Sequence, residues 1–475
     1  MIKAKHLAFA LVLAAAAAAR AQIGDLAPPS AEFVIIAPDA MREPLAPYVK
    51  HKQFQVKTEV VSLEKVLQDT QGADDAERVK RFLYARWRQG ARYALLVGDA
   101  DVFPVRYMVL DRVTPEAFDY AFYPSDLYYA DVAKPDGSFE DWNADKSGFH
   151  AGYFGEVRGE KNKDGPINHD AIDYHPELAV GRWPVSTAAE VKTVVDKSVA
   201  HEHFAVLVAE RPDPNGIAAL IATGGWVESR PLMERLAERM TDHAPKHWKI
   251  QKRYWSDKDH DYKTPPPDEE QVVGLLNSGA SLVLHAGHGS DDQWAGSLTV
   301  RGLKQVGNAS FAPVMMSAGC STARFATLPP YEPYVDVNGV EHKGTNNGEV
   351  FKEPPPPPAC YQKGKYNMSG LGEHLVRDST SGAAAYIGCN TGSQPCGLTL
   401  MEGFVESLAK AEEKREAEKQ SQLPRLGDCW NGAINYYFEH EKLATLKPNE
   451  DWYPPSIFFQ GMKFMMFGDP TLEMP

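Results

Sequence analysis

The 475-residue sequence has few cysteines, no basic segment and, after its first 21 residues, no hydrophobic run of membrane-spanning length. It contains 64 acidic and 50 basic side chains, and its formal net charge of -14 argues against a general nucleic-acid-binding protein. A chain of this length exceeds one small core and predicts two or three domain-sized units. We therefore expect a globular protein that binds no nucleic acid and, once processed, no membrane.

Common hydrolase motifs are also missing. There is no His-Glu-x-x-His, and no third ligand follows His285 and His288 at motif spacing, which argues against a zinc site. The absence of Gly-x-Ser-x-Gly argues against an α/β serine hydrolase. The Asp-rich segments 131–145 and 256–261 lack EF-hand spacing, so no metal ligand is assigned.

The first 21 residues have the three parts of a secretory signal peptide. Lys3 and Lys5 precede an apolar region, 7–19, and Ala-Arg-Ala at 19–21 forms a small-x-small cleavage site. The apolar region has about 13 residues, whereas a transmembrane helix needs about 20. The sequence thus predicts a bacterial protein that is exported to the periplasm or secreted.

Five cysteines leave one without a partner if disulfide bonds form in an oxidising compartment. Cys360, Cys389, Cys396 and Cys429 are candidates for two bridges, with Cys389 and Cys396 as the nearest pair. Cys320 would then be the free thiol. The alternative is that the other four are unpaired structural cysteines.

Short apolar runs alternate with helical patterns along the chain, which is typical of βαβ units. Strands are predicted at 33–37, 56–61, 93–97 and 178–180, and a second series begins at 217–223 and continues through 280–284 and 312–316. A Pro/Asp/Gly-rich segment, 211–216, separates the two series. This order predicts an α/β fold of two adjacent subdomains, 22–210 and 211–475, each with a mostly parallel sheet.

Two segments combine a strand-length apolar run with a reactive side chain at its end. The first, 281–290, has the sequence Ser-Leu-Val-Leu-His-Ala-Gly-His-Gly-Ser and presents His288. The second, 313–323, has the sequence Pro-Val-Met-Met-Ser-Ala-Gly-Cys-Ser-Thr-Ala and presents Cys320. Successive strand ends share one edge of a parallel sheet, and a histidine there promotes the reactive thiolate. The pattern predicts a cysteine peptidase.

Both residues also have simpler interpretations. A cysteine at a strand end is often a buried structural residue. The small neighbours Ser317, Ala318 and Gly319 instead favour a nucleophile, because they let a substrate carbonyl approach and leave backbone N–H groups for an oxyanion. A glycine-flanked histidine at the end of an apolar strand is untypical of a core.

Eight motifs, taken in order from Tyr93 onward, resemble the gingipain-type cysteine peptidases, which have the caspase-like fold. They are Leu-Leu-Val-Gly-Asp-Ala-Asp (95–101) with Pro104, Ser-Asp-Leu-Tyr-Tyr-Ala (125–130), Glu-Leu-Ala-Val-Gly-Arg-Trp-Pro (177–184) with Glu190 and Lys197, Gly-His-Gly-Ser (287–290) with Trp294, Ser-Ala-Gly-Cys (317–320), Ser-Gly-Ala-Ala-Ala-Tyr-Ile (381–387), Leu-Gly-Asp (426–428) and Phe-Gly-Asp-Pro (467–470).

The resemblance implies a three-layer αβα sandwich with a Cys320–His288 dyad. Cys320 would attack the peptide carbonyl, His288 would protonate the leaving amine, and the N–H groups of Cys320 and Gly289 would hold the oxyanion. Gingipains are expected to have an acidic group near the histidine. Asp126 is the candidate, with Glu177 as a second, and a helix or turn cap is the other interpretation of Asp126.

The resemblance also suggests a substrate pocket. Arginine-directed members carry an aspartate upstream of the Gly-Arg in the fourth strand, and Asp173 falls at that place, with Asp170 close to it. An acid there predicts a preference for a basic substrate residue. Trp294 is the second pocket candidate. No cofactor is required, although family members often bind calcium, which is expected here only as a structural ion.

The segment 327–367 contains five consecutive prolines and lacks periodicity, so it is either a rim of the cleft or a solvated insertion. Only about ten residues separate the cleavage site from the first strand, so no inhibitory prosegment is expected.

Three functions remain open at this point. They are an exported cysteine endopeptidase acting on proteins or peptides, a non-catalytic caspase-like binding or scaffold module, and a transpeptidase that uses the same dyad. The presence of both His288 and Cys320 favours an enzyme.

Overall fold

The computed structural model describes residues 31–109, 121–143, 146, 151–155, 172–209, 216–242, 248–257, 262–445 and 460–474. The predicted signal peptide, Asp170 and the predicted junction up to residue 215 lie outside the described residues.

Sixteen strands are present in this part of the chain. They are β1 Phe33–Ala37, β2 Thr58–Ser62, β3 Tyr93–Val97, β4 Tyr107–Val109, β5 Phe122–Pro124, β6 Ala179–Trp183, β7 Gly216–Ala222, β8 Trp248–Tyr254, β9 Ala280–Ala286, β10 Gly289–Ser290, β11 Gln293–Trp294, β12 Val314–Ser317, β13 Tyr334–Val335, β14 Glu341–His342, β15 Ala385–Cys389 and β16 Phe464–Phe467. Strands β4 and β5, β10 and β11, and β13 and β14 form three small two-stranded ribbons.

The other ten strands form one sheet in the order β2-β1-β3-β6-β16-β15-β12-β9-β7-β8. Pairing is parallel on either side of a single antiparallel contact, between β15 and β16. The predicted α/β, caspase-like fold is confirmed. The two predicted subdomain sheets are joined into one, because β16, the last strand of the chain, lies between β6 and β15.

The α-helices in the described residues are α1 Ala46–Lys52, α2 Leu63–Asp69, α3 Asp75–Trp87, α4 Leu127–Ala130, α5 Ala188–Ala209, α6 Arg230–Asp242, α7 Glu269–Asn277, α8 Leu371–Arg377, α9 Gly397–Glu418, α10 Leu426–His440 and α11 Gln460–Lys463. Short 3-10 helices occur at Asp39–Met41, Glu43–Leu45, Gly302–Gln305, Thr345–Asn347, Gly364–Tyr366 and Leu443–Thr445. No helix among the described residues has the length and apolarity to cross a lipid bilayer.

The central strands are apolar on both faces because helices cover both sides of the sheet. Every residue of β3 and of β9 is buried. Polar residues mark the helix starts: Ser62 accepts a hydrogen bond from the N–H of Lys65 at α2, and Asp74 accepts one from Glu77 at α3. These caps satisfy N–H groups that the first turn of a helix leaves without partners.

The Pro-rich segment 327–367 forms hydrogen bonds both within itself and to the first half of the chain. Its proline carbonyls accept hydrogen bonds from the Tyr153 hydroxyl at Pro355, the Tyr334 hydroxyl at Pro356 and the Val337 N–H at Pro357. Proline carbonyls remain free to accept because the ring removes only the N–H donor. The segment is therefore neither a solvated loop nor, among the described residues, part of the cavity lining beside Cys320.

The predicted disulfide bonds are not present. No disulfide bond joins any two of the five cysteines, all of which lie in the described part of the chain. Cys389 ends β15, Cys429 lies within α10, and Cys360 lies in the Pro-rich segment, where its carbonyl accepts the N–H of Val105.

Candidate active site

The register of two neighbouring strands places His288 and Cys320 at the same sheet edge. Strands β9 and β12 are parallel, and their last pair is His285 with Ser317. His288 is three residues beyond the first of these and Cys320 three beyond the second. Both side chains line a single cleft, as their strand-end pattern predicts.

Two glycines let the loops that follow these strands approach each other. A Cβ on Gly289 would lie 2.9 Å from the carbonyl oxygen of Cys320 and 2.6 Å from a methyl carbon of Thr322. A Cβ on Gly319 would lie 3.2 Å from the Cα of Gly289. The loop of the histidine and the loop of the cysteine therefore meet backbone to backbone, at a distance that side chains would prevent.

Cys320 is partly exposed, as are Cys360 and Cys396, whereas Cys389 and Cys429 are buried. Its Sγ lies 3.6 Å from the carbonyl oxygen of Ser393. Burial raises the thiol pKa to about 12 at Cys360 and Cys389 and to about 11 at Cys396, so these remain protonated at neutral pH. Of the thiols in the described residues, Cys320 is the one beside a histidine in an open cleft.

The backbone around Cys320 is held in an unusual conformation. Ser321, the next residue, has a φ of 57°, a left-handed value that a non-glycine residue adopts at a cost of about 1–3 kcal/mol. Its N–H donates to the carbonyl of Thr391 at 2.7 Å. The N–H of Cys320 has no hydrogen-bond acceptor among the described residues, so it is available to a ligand.

His288 is fixed through its backbone. Its N–H donates to the carbonyl of Gly224 at 3.1 Å, and its own carbonyl accepts the N–H of Ala295 at 3.0 Å. The ring faces the edge of the Trp226 indole, with the ring centres 6.3 Å apart. In the described part of the chain, no carboxylate forms an ion pair or a hydrogen bond with this imidazole.

A second histidine, His285, is buried in the core and contacts the start of the loop that carries Cys320. His285 stacks on Trp294 with the ring centres 4.4 Å apart, and its Nδ1 lies 2.8 Å from the Ser317 hydroxyl. That hydroxyl also accepts the N–H of Gly319 at 3.1 Å. Burial lowers the pKa of His285 to about 3, so the ring is neutral at working pH. His285 thus positions the loop of Cys320 and takes no charge.

Trp294 does not line the cleft that contains Cys320 and His288. It is predicted from the sequence to be a pocket residue, but its side chain is fully buried, and its indole N–H donates to the Tyr386 hydroxyl at 3.0 Å. Its indole stacks on the ring of His285.

The acidic candidates for orienting His288 have other partners. Both oxygens of Asp126 accept hydrogen bonds from the Arg182 guanidinium, at 2.7 Å each. Glu177 accepts the N–H groups of Val132 and Ala133, at 2.8 Å and 3.0 Å. Neither carboxylate contacts the His288 ring, because each forms its hydrogen bonds with residues in the first half of the chain.

Asp173 does not line the cleft. Its carboxylate accepts the N–H of His175 at 3.1 Å, and it lies in an acidic neighbourhood, where its charge contributes to raising the pKa values of Glu177 and Asp131 after the larger effect of burial. The position therefore gives no support to a preference for basic substrates.

The empty space in the cleft, including the part that is open to solvent, is about 440 Å³. Its lining among the described residues consists of Gly225, Trp226, Val227, Ser229, Gly287, His288, Ala318, Cys320, Ser393, Gln394, Pro395 and Leu398. The loops that follow β7 and β15 also line the cleft, which is not predicted from the sequence. The pattern that identified His288 and Cys320, an apolar strand followed by small residues, also predicts the loop after β7, because Gly224 and Gly225 follow that apolar strand.

No group of three or more His, Cys, Asp or Glu side chains in the described residues is arranged to hold a metal ion. The Asp-rich segments 131–145 and 256–261 lie partly outside the described residues, and structural calcium stays a prediction.

Comparison with known proteins places the chain in a family. The family model for peptidase family C25 matches residues 26–475. Among solved structures, the Arg-specific cysteine proteinase gingipain R is 16% identical with a TM-score of 0.58, and the match covers 94% of this chain and 80% of that one. A complex of the pro- and mature domains of RgpB from Porphyromonas gingivalis is also 16% identical, with a TM-score of 0.58 and coverage of 93% and 79%.

A third structure, described only as a protease, is 15% identical with a TM-score of 0.53 and covers 96% of this chain and 80% of that one. None of the curated proteins matches the chain significantly. The structural likenesses confirm the fold, and the predicted resemblance to the gingipain family is confirmed by the family match. The chain belongs to peptidase family C25 and is a cysteine-type peptidase.

Proposed function

We propose that this peptidase cleaves peptide bonds within proteins or peptides through a thioester on Cys320, with His288 as the acid–base. The observation that supports this proposal most directly is the shared cleft, in which a half-exposed thiol and an imidazole follow two adjacent parallel strands. A thiolate beside an imidazole is the arrangement that nucleophilic catalysis requires.

The proposed reaction has two stages. In the first, the thiolate of Cys320 attacks the peptide carbonyl carbon and forms a C–S bond, and the carbonyl oxygen becomes an oxyanion. The C–N bond then breaks while His288 gives a proton to the leaving amine. In the second, water attacks the thioester, His288 accepts a proton from it, and hydrolysis releases the acid and restores the thiol.

The oxyanion is proposed to bind at the N–H groups of Cys320 and Gly289. The N–H of Cys320 has no acceptor among the described residues and is free for this role. Rigid donors aimed at a developing negative charge are among the largest contributions to catalysis in acyl transfer. No described carboxylate orients His288, which supports a dyad over a triad.

Export is a further part of the proposal. The N-terminal pattern of charged, apolar and small residues supports a signal peptide and hence a periplasmic or secreted bacterial enzyme.

Covalent labelling tests the dyad. The chain without residues 1–21 is treated with acyloxymethyl-ketone peptide probes and then mapped by mass spectrometry, alongside Cys320→Ala, His288→Ala and Cys396→Ala. We expect the label on Cys320, its loss in the first two variants and its retention in the third, since burial keeps the Cys396 thiol protonated.

Labelling of another cysteine, or none in the folded protein, would contradict the proposal and leave a binding or scaffold role. Products that carry an added amine in place of water would identify the same dyad as a transpeptidase.

A further inference from the structure

Trp226 is an exposed aromatic residue at the rim of the cleft. It is 83% exposed, although its indole faces the ring of His288 from 6.3 Å. Gly224 and Gly225 connect it to the end of β7, and the Gly224 carbonyl accepts the N–H of His288. Large aromatic side chains that remain in water beside a cleft commonly mark binding surfaces.

The cleft next to Trp226 is lined mainly by apolar and small residues. Trp226, Val227, Ala318, Pro395 and Leu398 supply the apolar part of the lining, while serines and Gln394 supply uncharged polar groups. His288 is the only titratable side chain of the described lining apart from Cys320. A charged substrate side chain would lose water here without gaining a partner of opposite charge, which is costly.

The nearest acidic residue of the same loop is already paired. Glu228 follows Val227, and its two oxygens accept hydrogen bonds from the Arg230 guanidinium, one of them at 2.7 Å. Arg230 also pairs with Asp257 at 2.9 Å and lies over the Trp255 ring at 3.8 Å. Because Glu228 is held in this cluster, it does not offer a free carboxylate to a basic substrate.

We infer that the cleft binds an uncharged, apolar side chain of the substrate residue next to the scissile bond, and that Trp226 determines this specificity. The inference rests on the proposed function, because the cleft is adjacent to the scissile bond only if Cys320 and His288 are the dyad. Closure of an indole over an aliphatic or aromatic side chain removes apolar surface of both partners from water, which supplies the selectivity.

A series of fluorogenic peptides tests this assignment. The peptides are identical except for Leu, Phe, Gly, Arg or Asp at one position on either side of the cleaved bond. We expect kcat/KM for Leu or Phe to exceed that for Arg or Asp by about tenfold or more at one of the two positions. Trp226→Ala should reduce this ratio to within about threefold, and Trp226→Phe should retain most of it.

Phe54→Ala is the matched control, because Phe54 is a similarly exposed aromatic, 85% accessible, that does not line the cleft. It should leave the ratio unchanged. Preference of the unmodified enzyme for Arg or Asp, or an unchanged ratio in Trp226→Ala, would overturn the inference.

Titration of the same peptides into Cys320→Ala separates the two hypotheses. Apolar peptides should bind this variant more tightly than charged ones, and the added change Trp226→Ala should abolish the difference. If peptides bind in this way but the intact protein cleaves none, the proposed function fails, and only the preference of the cleft for apolar side chains stands. If no apolar preference appears in either cleavage or binding, the assignment fails.

Discussion

Asp126 and Arg182 form a buried pair joined by two parallel hydrogen bonds of 2.7 Å each. Arg182 is inaccessible to water and Asp126 is 7% exposed. A third guanidinium bond, 2.8 Å long, reaches the carbonyl of Gly98. The pair therefore connects the start of α4 and the loop after β3 to the C-terminal end of β6, and its geometry is that of a structural ion pair.

Replacement of Asp126 by Ala should destabilise the protein more than it affects catalysis. Loss of the carboxylate leaves the Arg182 charge buried without its partner, which typically costs about 3–5 kcal/mol. Thermal unfolding should shift to lower temperature, while kcat per folded molecule, measured below the transition, stays within a few-fold of the original. The double variant Asp126→Leu/Arg182→Met should recover part of the lost stability.

The opposite pattern would support the role predicted for Asp126 from the family resemblance. A large fall in kcat with an unchanged unfolding temperature would mean that this carboxylate reaches the His288 ring during catalysis.

The contact between Gly289 and the Cys320 loop predicts a catalytic defect in Gly289→Ala. The added methyl would lie 2.9 Å from the Cys320 carbonyl oxygen, so one of the two loops must move. Displacements of about 1 Å at a reacting centre cost about a hundredfold in rate. We expect kcat to fall by about that factor while circular dichroism and the thermal transition show a folded protein.

Gly274→Ala is the control for this change. Gly274 lies in α7, where a Cβ meets no atom within 4 Å, so alanine should keep the activity and raise helix stability slightly. Full activity in Gly289→Ala would show that the loops can separate without harm.

The sequence predicts the interior strands of the sheet better than it predicts the edge strand β8 or the way in which β16 joins the two halves of the sheet. Strands β1, β3 and β9 are fully buried apolar runs, and their pattern is local. Strand β8 was missed because it has the sequence Trp-Lys-Ile-Gln-Lys-Arg-Tyr, whose polar residues suit a half-buried edge strand and obscure its periodicity. The insertion of β16 between β6 and β15 depends on long-range pairing that no local pattern encodes.

The same distinction applies to the site. His288 and Cys320 could be predicted because each follows its own strand, and parallel strand ends share an edge. The partners of Asp126 and Trp294 could not be predicted, because Arg182 and Tyr386 are far from them along the chain. A motif identifies a residue type at a position, whereas its role depends on which neighbour satisfies its hydrogen bonds.

The burial of His285 leads us to expect that the free energy of unfolding decreases in acid. Burial lowers its folded pKa to about 3, while an unfolded histidine titrates near 6.5, so the unfolded chain binds one more proton between these values. Stability should therefore fall with decreasing pH in this window, with a slope from this residue of about 1.4 kcal/mol per unit. Chemical unfolding at pH 7, 6, 5 and 4 measures it.

His285→Gln should remove that part of the slope, because glutamine does not titrate. His440→Gln, at an exposed histidine of α10, should leave the slope as it is. If the slope is the same in His285→Gln as in the unmodified protein, His285 is not the group that takes up the proton.

For His342, in the Pro-rich segment, we expect the opposite pH dependence of stability. Its Nε2 lies 2.9 Å from Asp336 and its Nδ1 2.8 Å from Glu349, and the ring stacks on Tyr334. Burial disfavours the imidazolium, but the two carboxylates outweigh this effect and raise the pKa of His342. Its contribution to stability is therefore complete below pH 6.5 and is lost as pH rises through the folded pKa.

We expect the segment 327–367 to open more readily at pH 9 than at pH 6, since the neutral ring can donate only one hydrogen bond and loses its charge attraction to Asp336 and Glu349. Hydrogen exchange, corrected for the intrinsic pH dependence of the amide rate, should show this as reduced protection around β13 and β14. His342→Gln should have low protection at both values, whereas His374→Gln, which changes a more exposed histidine paired with Asp378 on α8, should follow the unmodified protein. Equal protection of the segment at both pH values in the unmodified protein would mean that the ribbon is held by the proline carbonyl bonds and the Tyr334 packing alone.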